Sequence, residues 1–366
     1  MSRANPAGSH PEQGEPAASV RARCVLVTGV SRGLGARFAR TVAGDGKDAK
    51  VIGVDVLPPR HDLGRATFVR ADIANPVIAR VIGEHEVDTV VHMALVATPG
   101  ACGSRSSMKE MNVIGTMQLL AACQKAAGVK RLVVQSSISV YGASWLDPAR
   151  FTEEMTPKGS PRTGLGQDTI EIETYVRGLA RRRPDIAVTV LRLANLIGAG
   201  VDTDVVRLLS SPVVPRIMGF DPRMQFLHPD DAVTALQLAT SKPLAGTYNV
   251  GAPDVLTLSQ TLRMLGRPWV PVPRELAPLI AGIFRQARVM DFSADQLDAL
   301  TYGWAMDTRR FAEAFGFEPV WTSRQAVAEL ARSLRPGLLA ADRVEKLFAS
   351  FSGAADGAGS RASNRG

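Results

Sequence analysis

The sequence predicts an α/β fold, a doubly wound parallel sheet followed by a smaller C-terminal lobe. Three observations carry this. Short runs that are apolar throughout alternate with segments of helical spacing over residues 24–195. Strands buried on both faces read as continuous apolar runs, and helices between them supply the crossovers of a parallel sheet. The first run ends in a glycine-rich turn, and the second ends in an acid.

The elements follow in order. CVLVTG (24–29) reads as the first strand and GARFARTVAG (35–44) as the helix after it. KVIGVD (50–55), ATFVRAD (66–72) and DTVVHMA (88–94) are the next three strands. MKEMNVIGTMQLLAACQKAAG (108–128) is a long helix whose Gly128 suits a C-terminal cap. KRLVVQSS (130–137) and AVTVLRLAN (187–195) complete six strands. Arg181-Arg182-Arg183, just before Pro184, suits the end of a helix, where cations meet the negative pole. The alternation is least clear after residue 196. The division expected is a polar, disordered tail over 1–22, a nucleotide domain over 23–195 plus 226–251, a lobe over 196–225 plus 252–335, and a short amphipathic helix with a flexible tail over 336–366.

Composition narrows the function. Apolar residues make 45% of the chain and charged residues 21%, so a sizeable core is available. No window approaches the ~18 uninterrupted apolar residues of a membrane helix. The N-terminus MSRANPAGSHPEQGEPAAS lacks the apolar centre of a secretion signal, so a cytoplasmic protein is expected. Cys24, Cys102 and Cys123 are odd in number and not in metal spacing, which predicts neither a disulfide framework nor a metal site. The net charge of +8 is carried by scattered Arg with no basic stripe, so nucleic acid is not an expected partner.

The first strand ends in TGVSRGLGARFA. Gly29 permits a tight turn, and Gly33, Leu34 and Gly35 lead into the helix, whose exposed amides suit a pyrophosphate. Asp55 closes the second strand and is placed to accept from an adenosine ribose diol. These are the parts of a Rossmann dinucleotide site. Asp55 would repel a 2′-phosphate, favouring NAD over NADP, whereas Arg32 in the loop would attract one. The acid carries more weight, so NAD is the expected cofactor.

On these residues, together with VRADI, VVHMA, MNVIGTMQLLAAC, VKRLVVQSSISVYG, LRLANLIG, FLHPDDAV and GTYNVG, the chain resembles an extended short-chain dehydrogenase/reductase of the NAD-dependent epimerase/dehydratase family. That group includes UDP-glucose 4-epimerase. The resemblance runs over about residues 24 to 250, and MDTRRFAEAFGFEPVW (306–321) resembles the family's C-terminal end. It implies that Asp72 and Ile73 meet the adenine and that Ala94 and Leu95 line the ribose and phosphate path. It places Asn112 beside the active site, Ser137 at the catalytic and substrate-orienting Ser position, and Asn195 where the family contacts a sugar nucleotide. Tyr141, His92, His228 and Asp231 read as structural. The glycine loop departs from the extended pattern at Arg32 and Gly33.

The family's chemistry needs a Tyr and, four residues later, a Lys that lowers the Tyr pKa and binds the nicotinamide ribose. Aligning Glu171 with the family's helix glutamate puts Gln167 at the Lys position, as cofactor contact, and Thr163 at the Tyr position. Neither can do the work, and no Tyr or Lys lies between Lys158 and Tyr175. Three readings follow, the last an interaction protein with a vestigial pocket and no dinucleotide affinity. The first is an enzyme acting on a nucleotide sugar or related polyol with altered acid/base groups, Tyr175 or Glu171 standing in. The second is a non-catalytic NAD-binding sensor or scaffold. The substrate is a small molecule in the first case. Arg207, Arg216 and Arg223 are candidates for a diphosphate, APLIAGIFRQARVM (277–290) reads as lobe core, and a homodimer through the 108–128 helix is possible on the resemblance.

Overall fold

The computed structural model describes residues 24–45, 49–97, 102–156, 161, 164–277, 282 and 294–334. The two tails, most of the 277–290 segment and Thr163 lie outside the described residues.

The expected sheet is present. Strands β1 (Cys24–Thr28), β2 (Lys50–Asp55), β3 (Thr67–Arg70), β4 (Thr89–His92), β5 (Arg131–Ser137) and β6 (Ala187–Leu193) are joined by a seventh, Gly246–Val250. All pair in parallel. The order across the sheet is β3, β2, β1, β4, β5, β6 and Gly246–Val250. The chain therefore winds outward in both directions from β1, and the crevice between β1 and β4 is the switch point where such sheets bind ligands.

The period-two alternation of β1 shows why both faces must be covered. Val25 and Val27 enter one core with Phe38 and Leu236, while Cys24 and Leu26 enter another with Ile78, Leu119 and Val176. Helices α1 (Gly33–Asp45) and Pro229–Ser241 cover the first face, and α2 (Val77–Glu84), α4 (Gly115–Lys125) and α5 (Gly164–Arg182) cover the second. Cys24 and Cys123 are buried and Cys102 is half-buried.

The long helix over 108–128 is a correction. It begins at α3 (Arg105–Lys109), capped by the Ser104 hydroxyl, which accepts from the Ser107 amide. It then loosens into a π turn, Glu110–Ile114, before α4 resumes and stops at Lys125. Ala126 is extended, so Gly128 lies beyond the end and is no cap. Such a bulge keeps apolar spacing nearly helical, which hides it in sequence.

After β6 come small paired strands: Asn195–Leu196 with Phe226–Leu227, Val214–Ile217 with Trp269–Val272, and Arg223–Met224 flanked by Leu256–Thr257 and Gly303–Trp304. Val214, Met224, Phe226 and Leu256 of these strands share a third core with Leu208, Leu258 and Val327. His228 does structural work here. It lies stacked on Trp321 and bonds Glu329, while Asp231 accepts from the Val320 and Trp321 amides. Among the described residues no helix is long and apolar enough to cross a membrane.

Candidate active site

The glycine turn is shaped by contact. Gly29 has φ +82°, and a Cβ there would stand 2.7 Å from the Met93 carbonyl carbon and oxygen. A Cβ on Gly35 would run into the Gly29 carbonyl. Strand, turn and helix thus close on each other only as glycine. At Gly33, by contrast, a Cβ would meet nothing within 4 Å. The space above the start of α1 is open, and the first amides of a helix have no partner within it. Leu34 turns down into the first core.

Asp55 holds this loop from the neighbouring strand. One carboxylate oxygen accepts from the Ser31 amide at 2.9 Å and the Ser31 hydroxyl at 2.6 Å, and the other from the Val56 amide at 2.8 Å. Arg32 reaches the other way, donating to the Leu95 carbonyl beyond β4. Burial pulls its pKa down, partly offset by the charge of Asp55. The guanidinium therefore spans the crevice at the switch point. Ala94 and Leu95 are half-buried along its far wall. Asp72 is exposed after β3, its carboxylate turned onto the Ala74 amide, and Ile73 is buried beside it, against Gly115. The parts present fit a dinucleotide: an open glycine turn, an acid at the end of β2 and an apolar floor.

The π turn explains Asn112. Its side chain is fully buried, accepts from the Val96 amide at 2.7 Å, and returns a bond to the Val96 carbonyl at 2.9 Å. It therefore fixes the loop that follows β4. His92, the last residue of β4, is buried between Thr28 at 2.8 Å and Thr116 at 2.7 Å. Burial lowers its pKa to about 4. An unfolded His titrates near ~6.5, so the unfolded chain takes up the proton first as pH falls. Stability is then fully present above pH ~6.5 and is lost progressively down to about 4, by up to ~3 kcal/mol. Urea titrations of wild type and His92→Gln at pH 7 and pH 4.5 check this. The variant should lose less on acidification, and an equal loss in both would refute the assignment.

Ser137 ends β5 and caps the short helix after it, its oxygen accepting from the Ser139 amide at 3.2 Å. Its hydroxyl proton is left to donate elsewhere. Tyr141 is buried, donates to Asn249 at 2.7 Å and receives from Arg192 at 2.8 Å. Burial raises its pKa, countered by Arg192, and the residue is structural.

Helix α5 is where the alignment needs correction. Its inward glutamate is Glu173, which accepts from Ser136 at 2.7 Å and holds Arg192 at 2.9 and 2.7 Å. Glu171 sits on the flank with Lys109 at 2.9 Å and the Gln167 amide at 3.2 Å. Gln167 is accordingly half-buried and turned along the helix surface. Tyr175 is 39% exposed and begins about 16 Å along the helix axis from Gly164. Glu171 is thus held by Lys109 and Gln167, and Tyr175 stands on the exposed side of the helix.

The sequence reading also missed Asp168. Its carboxylate is fully buried, taking both Arg105 nitrogens at 2.8 and 2.5 Å and the Asn112 amide at 2.9 Å. This cluster ties α3, the π turn and the start of α5 together. Asn195 lies two residues past Leu193, the partner of Ser137 across β5 and β6. Arg207 is paired with Asp202, and Arg216 lies near Asp221 and over the Trp269 ring. Arg223 is exposed on its strand.

Fold and crevice define a doubly wound, dinucleotide-binding type of protein. The family model for the NAD dependent epimerase/dehydratase family matches residues 25–251. The chain belongs to that family. An uncharacterized protein of Mycobacterium tuberculosis is 45% identical over 314 residues, covering 85% of this chain and 84% of its own length. A UDP-glucose 4-epimerase of Erwinia amylovora is 28% identical over 186 residues, 48% of this chain and 54% of that protein. Among solved structures, the UDP-glucose 4-epimerase of Thermotoga maritima with UDP-glucose superposes with a TM-score of 0.66 at 21% identity, covering 85% of this chain and 98% of that one. The dTDP-glucose 4,6-dehydratase of Bacillus anthracis in complex with NAD gives 0.65 at 21% identity, over 85% and 96%.

Proposed function

We propose that the chain binds NAD between the Gly29–Gly35 turn and Asp55 and uses it to oxidise and re-reduce a secondary hydroxyl of a sugar-type polyol, with nucleotide sugars the first candidates. The glycine turn locked against Met93, with Asp55 beside it, is the observation that carries the reading. The family description and the nucleotide sugars of the similar enzymes support the substrate class. When bound, NAD would supply a nicotinamide ring that accepts and returns hydride.

Each residue then has a task. Gly29 and Gly35 admit the pyrophosphate to the amides of α1, and Gly33 leaves it room. Asp55 exchanges its Ser31 hydroxyl bond for a ribose hydroxyl, and it opposes a 2′-phosphate. Arg32 points at Leu95, across the crevice, which favours a pyrophosphate contact over a 2′-phosphate contact. Ile73 and Asp72 flank the adenine. Ala94 and Leu95 form the wall, held in place by Asn112 through Val96. Ser137 donates its proton to the substrate oxygen, and Asn195 contacts the rest of the substrate.

With Glu173 as the helix glutamate, the Lys position falls on buried Thr169 and the Tyr position on Leu165. Neither carries a charge or a phenol. General acid–base catalysis contributes ~10²–10⁴-fold where it is present, so turnover is expected to be slow. The experiment has two arms. Thermal stability with NAD, NADH, NADP and NADPH should rise by several degrees with NAD or NADH, since a ligand at about 100 times its dissociation constant adds ~2.7 kcal/mol. Preference for NADPH, or no shift at all, would sink the cofactor reading. Then Leu165→Tyr with Thr169→Lys should raise NAD-linked turnover of a nucleotide-sugar panel about 10²-fold. A gain only from Thr163→Tyr with Gln167→Lys would show that the other register is right.

A further inference from the structure

The order of the sheet sets where the far half of a dinucleotide lies. Its first ribose sits at Asp55, at the end of β2, and its pyrophosphate over the turn after β1. The second nucleoside then continues across β4 towards β5 and Ser137. Neighbouring strands stand about 4.8 Å apart, so the second ribose passes over the loop after β4, Ala94 to Val96. Arg32 holds that loop through the Leu95 carbonyl, and Asn112 holds it through both backbone groups of Val96.

A ribose there calls for donors to its hydroxyl oxygens, and the start of α5 offers none. Leu165 has no polar side-chain group. The Thr169 hydroxyl is turned back on its own helix, towards the Leu165 carbonyl at 2.7 Å and the Gly166 carbonyl at 2.9 Å. Gln167 donates to Glu171, and Lys109 is drawn to the same carboxylate. The donor group comes instead from α3. Arg105 crosses to the first turn of α5, where Nη1 meets Asp168 at 2.8 Å and Nη2 meets Asp168 at 2.5 Å and the Gly164 carbonyl at 3.1 Å. Asp168 also accepts from Asn112 at 2.9 Å. Arg105, Asp168, Asn112 and Val96 are thus one bonded chain from α3 to the crevice wall. Arg32 and Arg105 both stand within electrostatic reach of Cys102, which places them along one stretch of that loop.

A guanidinium carries five N–H donors, and three of them make these bonds. The Nε hydrogen and one on Nη1 remain, on a side chain that is 36% exposed above a fully buried carboxylate. Asp168 fixes the plane of the group, so the remaining donors are aimed in advance rather than ordered on binding. The same carboxylate offsets the cation. The pair can therefore orient a ribose while doing little for a proton transfer, which agrees with the slow turnover expected of this site.

We propose that Arg105, anchored by Asp168, holds the nicotinamide-side ribose of NAD through its remaining donors. The proposal rests on the NAD reading and deepens it, with α3 supplying the contact that α5 lacks.

Three ligands binding to the full chain, followed by calorimetry, test this. NAD and ADP-ribose carry the second ribose, and ADP does not. Arg105→Met alone would strand a buried carboxylate, so it is made in an Asp168→Asn background and compared with Asp168→Asn itself. Adding Arg105→Met is expected to weaken NAD and ADP-ribose about tenfold and ADP by less than about twofold. Arg105→Lys keeps the ion pair but not the planar fork, and it leaves Asp168 untouched. It should show a loss of about threefold, again confined to NAD and ADP-ribose. Equal losses for all three ligands would mean that Arg105 only supports the wall, and unchanged binding of all three would mean that it touches none of them. Either result overturns the proposal. Wild-type protein that binds neither NAD nor ADP would sink the cofactor reading as well, whereas intact wild-type binding with no selective loss sinks only the Arg105 contact.

Discussion

Glu173→Ala is expected to lower unfolding stability by about 3–5 kcal/mol, the cost of leaving a buried charge without its partner. The Arg192 side chain is 10% exposed and the Glu173 side chain 4%, so neither can turn to water when the other is removed. Glu173 binds Arg192 through both oxygens and takes the Ser136 hydroxyl as well. Burial would pull the Arg192 pKa down, yet the Glu173 bonds and charge and the Tyr141 contact outweigh it and leave the pKa raised. Glu173→Gln keeps the shape and some of the bonds, so a smaller loss of about 1–3 kcal/mol is expected. Glu171→Ala breaks only half-exposed contacts with Lys109 and Gln167 and should cost under ~1 kcal/mol. Urea denaturation gives all three as midpoint shifts at unchanged slope. The order matters more than the sizes. If Glu171→Ala proves the costlier change, Glu173 is not the inward glutamate, and the placement of Leu165 and Thr169 falls with it.

That comparison also shows where sequence stops being sufficient. The strands were legible because Cys24–Thr28 and Thr89–His92 are buried along their whole length, and only a sheet covered on both faces needs that. Gly29, Gly35 and Asp55 were legible because close approach and charge leave few other choices of residue. The register of α5 was not. Glu171 and Glu173 are two residues apart, which in a helix is a turn of roughly 200°, nearly the opposite face. Apolar spacing does not settle it, because Ile170 precedes Glu171 just as Ile172 precedes Glu173. Partners do, and they lie elsewhere in the chain: Arg192 for one, Lys109 for the other. Asp168 was hidden for the same reason. In sequence it is one more acid near a helix start, and only Arg105 and Asn112 reveal it as a buried anchor. The π turn escaped because what accompanies it, the pair of bonds between Asn112 and Val96, is tertiary.

A pair of glycine substitutions should separate folding from cofactor binding within three residues. Gly35→Ala sets a Cβ against the Gly29 carbonyl oxygen, with the Gly29 carbonyl carbon at 2.9 Å. Backbone cannot swing aside as a flexible side chain can, so α1 must lift from β1. A loss of about 1–3 kcal/mol is expected without any ligand, as for overpacking elsewhere in a core. The first core also loosens, since Ala36, Phe38 and Ala39 ride on the same helix. Gly33→Ala meets nothing within 4 Å and lies in the first turn of a helix, where alanine is favoured by up to ~1 kcal/mol over glycine. The free protein should be as stable as wild type, or slightly more so. Yet the new methyl occupies the open space through which a pyrophosphate would approach the α1 amides. NAD-induced stabilisation, about 2.7 kcal/mol at 100 times the wild-type dissociation constant, should therefore fall sharply in Gly33→Ala despite its intact fold. Thermal melts with and without NAD give both quantities from one sample. Full retention of the NAD shift in Gly33→Ala would mean that the phosphates do not pass over Gly33. The departure of this loop from the extended pattern, with Arg32 one residue before Gly33, would then mark a different path for the dinucleotide.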